Sequence, residues 1–378
     1  MNKGPDLNDL HQEGRFPDLD EGEPLPPPPA PKPPRPAIDL ADLARPLTDP
    51  CWGEAGWLNA HPEPRPMLLN AEERGERRPF LPRGKVALLA AAGGAGKTQA
   101  LAQLALAVAS AGLVSGERRR WLDAYPVACD AGHVLWGCGE EDRDELRRRL
   151  QKAAQGMMLT EEEQERAARY LWPLPLYGLD ARLVTTDLED SGFMFDLEDF
   201  LLAEKRDWAA VILDPGSRFM GADDEKDNAA ATRFVELVER LTKVPGNPAV
   251  IVAMHTGKQG VREDLAEDDQ YLTRGSSALV DGARWAASLR WTRNVPPGQP
   301  RFLRFVHTKT NYTPKAPPLD LVMDGEGFLR AATPAELEAL REAQKGPPKP
   351  DPPPKGKGKG GKTPAPGSQP EQRPIDAG

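Results

Sequence analysis

Lys85-Val-Ala-Leu-Leu-Ala-Ala-Ala-Gly-Gly-Ala-Gly-Lys-Thr98, followed by an apolar run to Ser110, decides how the chain folds. Val86 to Ala90 reads as a short apolar strand, and from about Thr98 the residues Leu101, Leu104, Ala105 and Val108 recur at helical spacing. The order is strand, glycine turn, helix. A loop that enters a helix this way turns several backbone N–H groups, and the positive end of the helix dipole, into one concavity. Gly93, Gly94 and Gly96 let the backbone curl around a phosphate chain, Lys97 reaches the β- and γ-phosphates, and the Thr98 hydroxyl can hold Mg²⁺. The stretch Gly93, Gly94, Ala95, Gly96, Lys97, Thr98 and Gln99 is the expected cradle for a nucleoside triphosphate, with ATP and Mg²⁺ as the expected ligands. One departure stands out: the usual first glycine of such a loop is Ala91 here. A dinucleotide fingerprint fits worse, because G-x-G-x-x-G is required and the residues from Gly94 read G-A-G-K-T-Q.

Working outward, the 378 residues leave room for one large α/β domain or two modest ones, and the ends argue for one. Residues 1–50 and 345–378 carry 23 of the 41 prolines and few apolar residues able to close a core. Both ends are expected to be disordered with local polyproline II character, leaving 51–344 as the folded domain. The formal net charge of −9 gives no global basic field for nucleic acid, although a ring protein can confine its basic residues to a central channel. Cys51, Cys129 and Cys138 lack paired metal-type spacing and read as reduced thiols. The N-terminus has no apolar leader and no run approaches the ~18 apolar residues of a membrane span, so a cytoplasmic protein without a membrane partner is expected.

Trp52 to Phe80 reads as an irregular segment, and Arg118-Arg-Arg120 as a charged surface turn. His133 to Cys138 is a second parallel strand with Glu140, Glu141 and Asp142 beyond its carboxyl end, where ligands of open α/β sheets lie. Glu140 is either a general base polarising water or a helix-start acid. A charged helix over Glu161–Tyr170, an irregular stretch with Pro173 and Pro175, strand-like Leu183 to Thr186 and an outer helix over Phe195–Leu202 follow. Trp208 to Asp214 is apolar on both faces, as a central parallel strand should be, and is closed by an acid placed to hold the water shell of Mg²⁺. Ala229–Leu241 is an amphipathic helix. Pro248 to His255 is another buried strand, and two roles fit His255: a hydrogen bond to the γ-phosphate or a satisfied structural histidine. An acidic loop from Thr256 to Leu272 precedes Arg274-Gly-Ser-Ser277, and the last folded part reads as antiparallel strands over 289–293, 302–309, 319–323 and 328–331.

A-A-G-G-A-G-K-T, V-L-W-G-C-G-E-E, V-I-L-D-P-G-S-R-F, M-H-T-G-K and T-R-G-S-S-A-L-V-D-G-A-R-W, taken as a set, resemble the RepA-type, RecA-like ATPases of plasmid, phage and mobile-element replication, which form hexameric ring helicases. The likeness spans roughly Met67 to Tyr312. It implies a RecA-like P-loop fold, with a mostly parallel central sheet, flanking helices and C-terminal antiparallel strands. It implies a catalytic set of Lys97, Glu140, Asp214, His255 and Arg274, in which Thr98 and Asp214 serve the metal, His255 senses the γ-phosphate and Arg274 is a finger donated across a subunit boundary. The alternative for Arg274 is a helix-start arginine bridging local acids, and Lys309 in T-K-T-N-Y is more simply a solvated strand-end lysine than a phosphate ligand. The partners implied are further copies of the chain in a hexameric ring, single-stranded DNA and other replication proteins. Three readings compete: a helicase-type motor, a RecA-like ATPase that loads or regulates replication and repair proteins without unwinding, and a partition-type dimeric switch. The last would need K-G-G-x-G-K-T, where the first residue of that string is Ala92 here.

Overall fold

The computed structural model describes residues 44–50, 63–114, 117–203, 206–220, 228–256, 277–292 and 294–345. Its contacts divide the chain into two compact units, Met1–Pro64 and Arg65–Gly378, and the elements below belong to the second. Most of the two proline-rich ends, and residues 221–227 and 257–276, lie outside the described residues.

In chain order, the elements are β1 (Met67–Glu73), β2 (Glu76–Pro82), β3 (Val86–Ala91), α1 (Lys97–Ala109), β4 (His133–Cys138), α2 (Arg143–Gly156), α3 (Glu161–Tyr170) and β5 (Leu171–Pro175). They continue with α4 (Gly192–Ala203), β6 (Trp208–Asp214), α5 (Gly216–Met220), α6 (Asn228–Leu241), β7 (Ala249–His255), α7 (Ser277–Gly282), β8 (Trp285–Trp291), β9 (Arg301–Thr310), β10 (Leu319–Met323), β11 (Leu329–Ala331) and α8 (Pro334–Lys345). Two-residue ladders fill the connection between α1 and β4.

Nine strands form one sheet in the order β11-β10-β9-β8-β3-β7-β6-β4-β5. The six from β8 to β5 are parallel, and β9, β10 and β11 extend them antiparallel. β3 and β6 are buried throughout, as strands covered on both faces must be. Alternation along them divides the core. Ala87, Leu89, Ala210 and Ile212 pack with α1, α2 and α3, while Val86, Leu88, Val211 and Leu213 pack with α4, α6 and α7. α1 is buried almost all round, since its alanines let the sheet and α2 approach from opposite sides.

The RecA-like α/β class and the parallel core agree with the sequence reading, but several local expectations fail. Met67–Pro82, read as irregular, is a β-hairpin closed by Arg74 and Gly75, both at positive φ, in the two-residue turn that matches strand twist. Leu171–Pro175 is a strand despite its prolines, because β5 is the sheet edge and its missing N–H groups leave no interior ladder unpaired. Leu183 to Thr186 contributes only an isolated bridge, Val184 to Asp190. The strand expected at 289–293 is Trp285–Trp291; it pairs antiparallel with β9 as expected, and its other edge runs parallel to β3. Arg118 to Arg120 is not a solvated turn: Arg119 holds the fully buried Glu163 at 2.5 Å, and Arg120 pairs with Glu72.

Candidate active site

The loop between β3 and α1 is shaped by two glycines in the left-handed region, Gly94 at φ 74° and Gly96 at φ 77°. A Cβ at Gly96 would meet the Met323 methyl at 2.4 Å, which that flexible side chain can relieve by moving, so the positive φ is what restricts this position to glycine. Ala95 N–H donates to the Ala92 carbonyl at 3.1 Å and closes the turn. α1 starts at Lys97 without a side-chain cap, leaving its first amides directed at the loop.

At the carboxyl ends of the strands, Asp214 pairs in register with Cys138, and its carbonyl accepts from Gly139 N–H at 2.8 Å. His255 closes β7 beside Ala91 of β3. One cavity of about 310 Å³ is therefore lined by Gly94, Lys97, Thr98, Glu140, Arg149 and His255. The structure thus gathers eight of the sequence-derived site residues, Gly93, Gly96 and Gln99 among them, with Asp214 adjoining at the base of the loop through Lys97 and Thr98.

Asp214 is 1% exposed. Burial pushes its carboxyl above the usual carboxylate range; Lys97 and the Thr98 hydroxyl oppose that shift, and the charge of Glu140 adds to it. The Thr98 hydroxyl is the near polar neighbour of the carboxylate, but neither oxygen completes a well-formed hydrogen bond among the described residues. A buried acid left in that state costs free energy, and a hydrated divalent cation beside Thr98 supplies what it lacks. The donor set, one carboxylate and one hydroxyl next to a phosphate cradle, suits the oxygen preference of Mg²⁺.

The three acids after β4 divide their work. Asp142 caps α2 by accepting from Glu145 N–H at 2.8 Å, and Glu141 pairs with Arg149. Glu140, with its side chain 49% exposed, faces the cavity and has only a 3.9 Å approach from Arg218 Nε. Gly139 gives it that position, since a Cβ there would lie 2.6 Å from the Arg218 Cβ. The neighbouring Cys138 is buried against Asp214, and its thiol is pushed up to about 12, so it stays protonated and unreactive.

Two contributors escaped the sequence reading. Arg149 lines the cavity from α2, seven residues after its cap, and no local pattern separates it from the other arginines of that helix. The turn between β10 and β11 brings Met323, Glu326 and Gly327 to the same cavity. Gln103 of α1 fixes that hairpin by bonding both the carbonyl of Leu329, at 2.7 Å, and its N–H, and Lys152 of α2 bridges to Glu326 at 2.8 Å. The D-G at 324–325 signalled a turn, but nothing in it signalled the destination.

Arg274 lies outside the described residues. Lys309 is half-buried and does not line the cavity: its ammonium donates to the Val280 and Asp281 carbonyls at 2.6 and 3.1 Å, closing the end of α7.

Among solved structures, the chain is similar to a KaiC-like protein from the hyperthermophilic archaeon Pyrococcus horikoshii, at 14% identity over 72% of this chain and 100% of that one, with a TM-score of 0.44. It is also similar to the RadB recombinase, at 12% identity over 66% of this chain and 92% of that one, with a TM-score of 0.42. A family model described as an AAA domain matches residues 47–261, more than half of the chain. That span contains the phosphate loop, Glu140, Asp214 and His255. With a P-loop strand one strand removed from the acid-bearing strand, and that match across both, the protein belongs to the AAA domain family.

Proposed function

We propose that this chain is a Mg²⁺-dependent ATPase of the RepA type, which assembles as a hexameric ring and couples hydrolysis to movement along single-stranded DNA. The observation that carries the catalytic half is Asp214, a fully buried carboxylate with incompletely satisfied oxygens, adjoining Lys97 and Thr98 beneath a cavity that Glu140 faces. Thr98 and Asp214 would hold a divalent cation, which when bound would supply charge neutralisation at the leaving phosphates. Lys97 and the α1 amides hold the phosphate chain, and Glu140 orients the attacking water in line. His255, at the end of β7, hydrogen-bonds the γ-phosphate, so that its loss on hydrolysis is felt by the segment that follows. Arg274 of an adjacent copy stabilises the equatorial oxygens, an effect worth ~10³ to 10⁵ in rate for such fingers. The DNA half rests on the motif set shared with RepA-type proteins.

The deciding measurement is steady-state phosphate release with and without single-stranded DNA, alongside molar mass by light scattering. Stimulated turnover by a hexamer supports the motor. DNA-indifferent turnover would remove the motor and leave an ATPase that loads or regulates other proteins.

A further inference from the structure

The amino ends of the parallel strands carry a second concavity, one strand length of roughly 20 Å from the phosphate loop. About 230 Å³ in volume, it lies between Lys85 at the foot of β3, Arg284 at the foot of β8 and Lys243 just past α6, with Tyr312 at its rim. Among the described residues, Lys85, Lys243 and Arg284 complete no ion pair, and Glu239 is the one carboxylate among the lining residues. A fourth cation, Arg65, stacks on the Tyr312 ring at 3.9 Å. Burial holds the Lys85 ammonium below its ordinary range; the like charges of Lys243, Arg65 and Arg284 push it further, and Glu239 alone opposes them.

Like charges gathered with one counter-charge repel, and the fold gives them no other relief. Backbone donors at the site are already committed: Gly84 N–H to the Pro248 carbonyl at 3.1 Å, and Arg284 N–H to the Val86 carbonyl at 2.9 Å. Recognition there falls to side-chain cations. The volume is below that of a pocket for a whole small-molecule ligand, and suits a single anionic group with its waters. Tyr312, 38% exposed, offers a flat apolar face next to that charge.

We infer that the cavity bounded by Lys85, Lys243, Arg284 and Tyr312 is a second anion site, which takes a phosphate group either from a nucleic-acid strand or from a free polyphosphate. It is separate from the nucleotide cradle and uses none of the cradle's residues. Point-charge recognition makes it salt-sensitive and tolerant of mono- and diesters alike.

The test uses the full chain in a Lys97→Ala background, which removes the main cation of the nucleotide cradle. Pyrophosphate binding is followed by calorimetry, and binding of a fluorescein-labelled oligothymidine by anisotropy across a salt series. Adding Lys243→Ala and Arg284→Ala is expected to weaken pyrophosphate about tenfold. If the source is a strand, oligothymidine weakens as well, and its log–log salt slope falls by about 0.7 for each cation removed. Loss in both arms supports a nucleic-acid strand, and loss of pyrophosphate alone supports a free polyphosphate. Unchanged affinity in both arms, with near-ultraviolet circular dichroism intact, overturns the site. Lys243 is exposed, so Lys243→Ala alone retains the fold and gives the same reading at smaller amplitude should the double change misfold. Glu239→Gln is expected to tighten pyrophosphate several-fold, and no gain there counts against the site.

Discussion

Asp214 shows at the level of one side chain how this site stores free energy for its ligand. Its carboxyl is held above the usual range by burial, so ionisation at neutral pH destabilises the empty protein. Asp214→Asn removes that charge at the same volume. The empty variant is expected to melt a few degrees higher than the parent, while the extra stabilisation by MgATP over ATP disappears and turnover drops at least about 100-fold. Thermal unfolding with each ligand, and phosphate release, read the two effects, and a variant that melts lower when empty would deny the stored cost. His307 gives a second residue-level expectation. It is buried among Phe80 and Trp285, its Nδ1 accepts from Ala316 N–H at 3.1 Å, and burial lowers its pKa to about 4. The folded value lies below the unfolded one, so the unfolded chain takes up the proton first and stability falls as pH drops below about 6.5. Between pH 7.5 and 5 this amounts to about 2 kcal/mol by that linkage. In urea titrations His307→Gln, which retains an acceptor for Ala316, is expected to flatten the pH dependence by that amount; an unchanged slope would place the titration elsewhere. Neither environment could be read from the sequence. The strand-end acid was visible at Asp214, but its missing partners, and the share-out of Glu140, Glu141 and Asp142, depend on neighbours distant in the chain.

At the level of elements, the hairpin of β10 and β11 bears on the phosphate loop through two attachments of different strength. Gln103 is 2% exposed and satisfies both polar groups of Leu329, whereas the Lys152 to Glu326 bridge is open to solvent. Gln103→Leu leaves that buried pair unmet, and is expected to cost about 2 to 4 kcal/mol. Because Met323 rests on Gly96, it is also expected to raise the KM for ATP. Lys152→Ala is expected to change stability by under about 1 kcal/mol. Equal losses in the two variants, measured by urea unfolding, would mean that the hairpin is not anchored through α1. The hairpin strands were legible because they alternate and are bounded by turn residues, and β3, β6 and β7 because a strand buried on both faces reads as one apolar run. β5 and the β1–β2 pair were not. Their identity is set by position in the sheet, an edge that tolerates Pro173 and Pro175 and a turn that Arg74 enters at positive φ against its own preference.

For the whole molecule, the question is whether one chain holds a complete site. Among the described residues, Lys97 and Arg149 are the cations lining the cavity, and Arg149 is engaged by Glu141 and Glu145. The proposed source of a further positive charge for the transition state is Arg274 of a neighbouring copy. That assignment makes a quantitative prediction for mixtures. Arg274→Ala binds nucleotide but does not turn over; Lys97→Ala keeps its finger but does not hold the phosphates. In a ring assembled at random from equal parts of the two, a working site needs an intact Lys97 on one side of the boundary and an intact Arg274 on the other, which is met at about a quarter of the boundaries. Phosphate release by the mixture is expected to rise to about that fraction of the parent rate, from near zero in either variant alone. The rise requires exchange of subunits, so dissociating the two variants together before mixing, and following molar mass, belongs to the same experiment. A mixture that forms mixed rings yet stays inactive would return Arg274 to its own chain, and with it the idea that hydrolysis is read out at the boundary between copies.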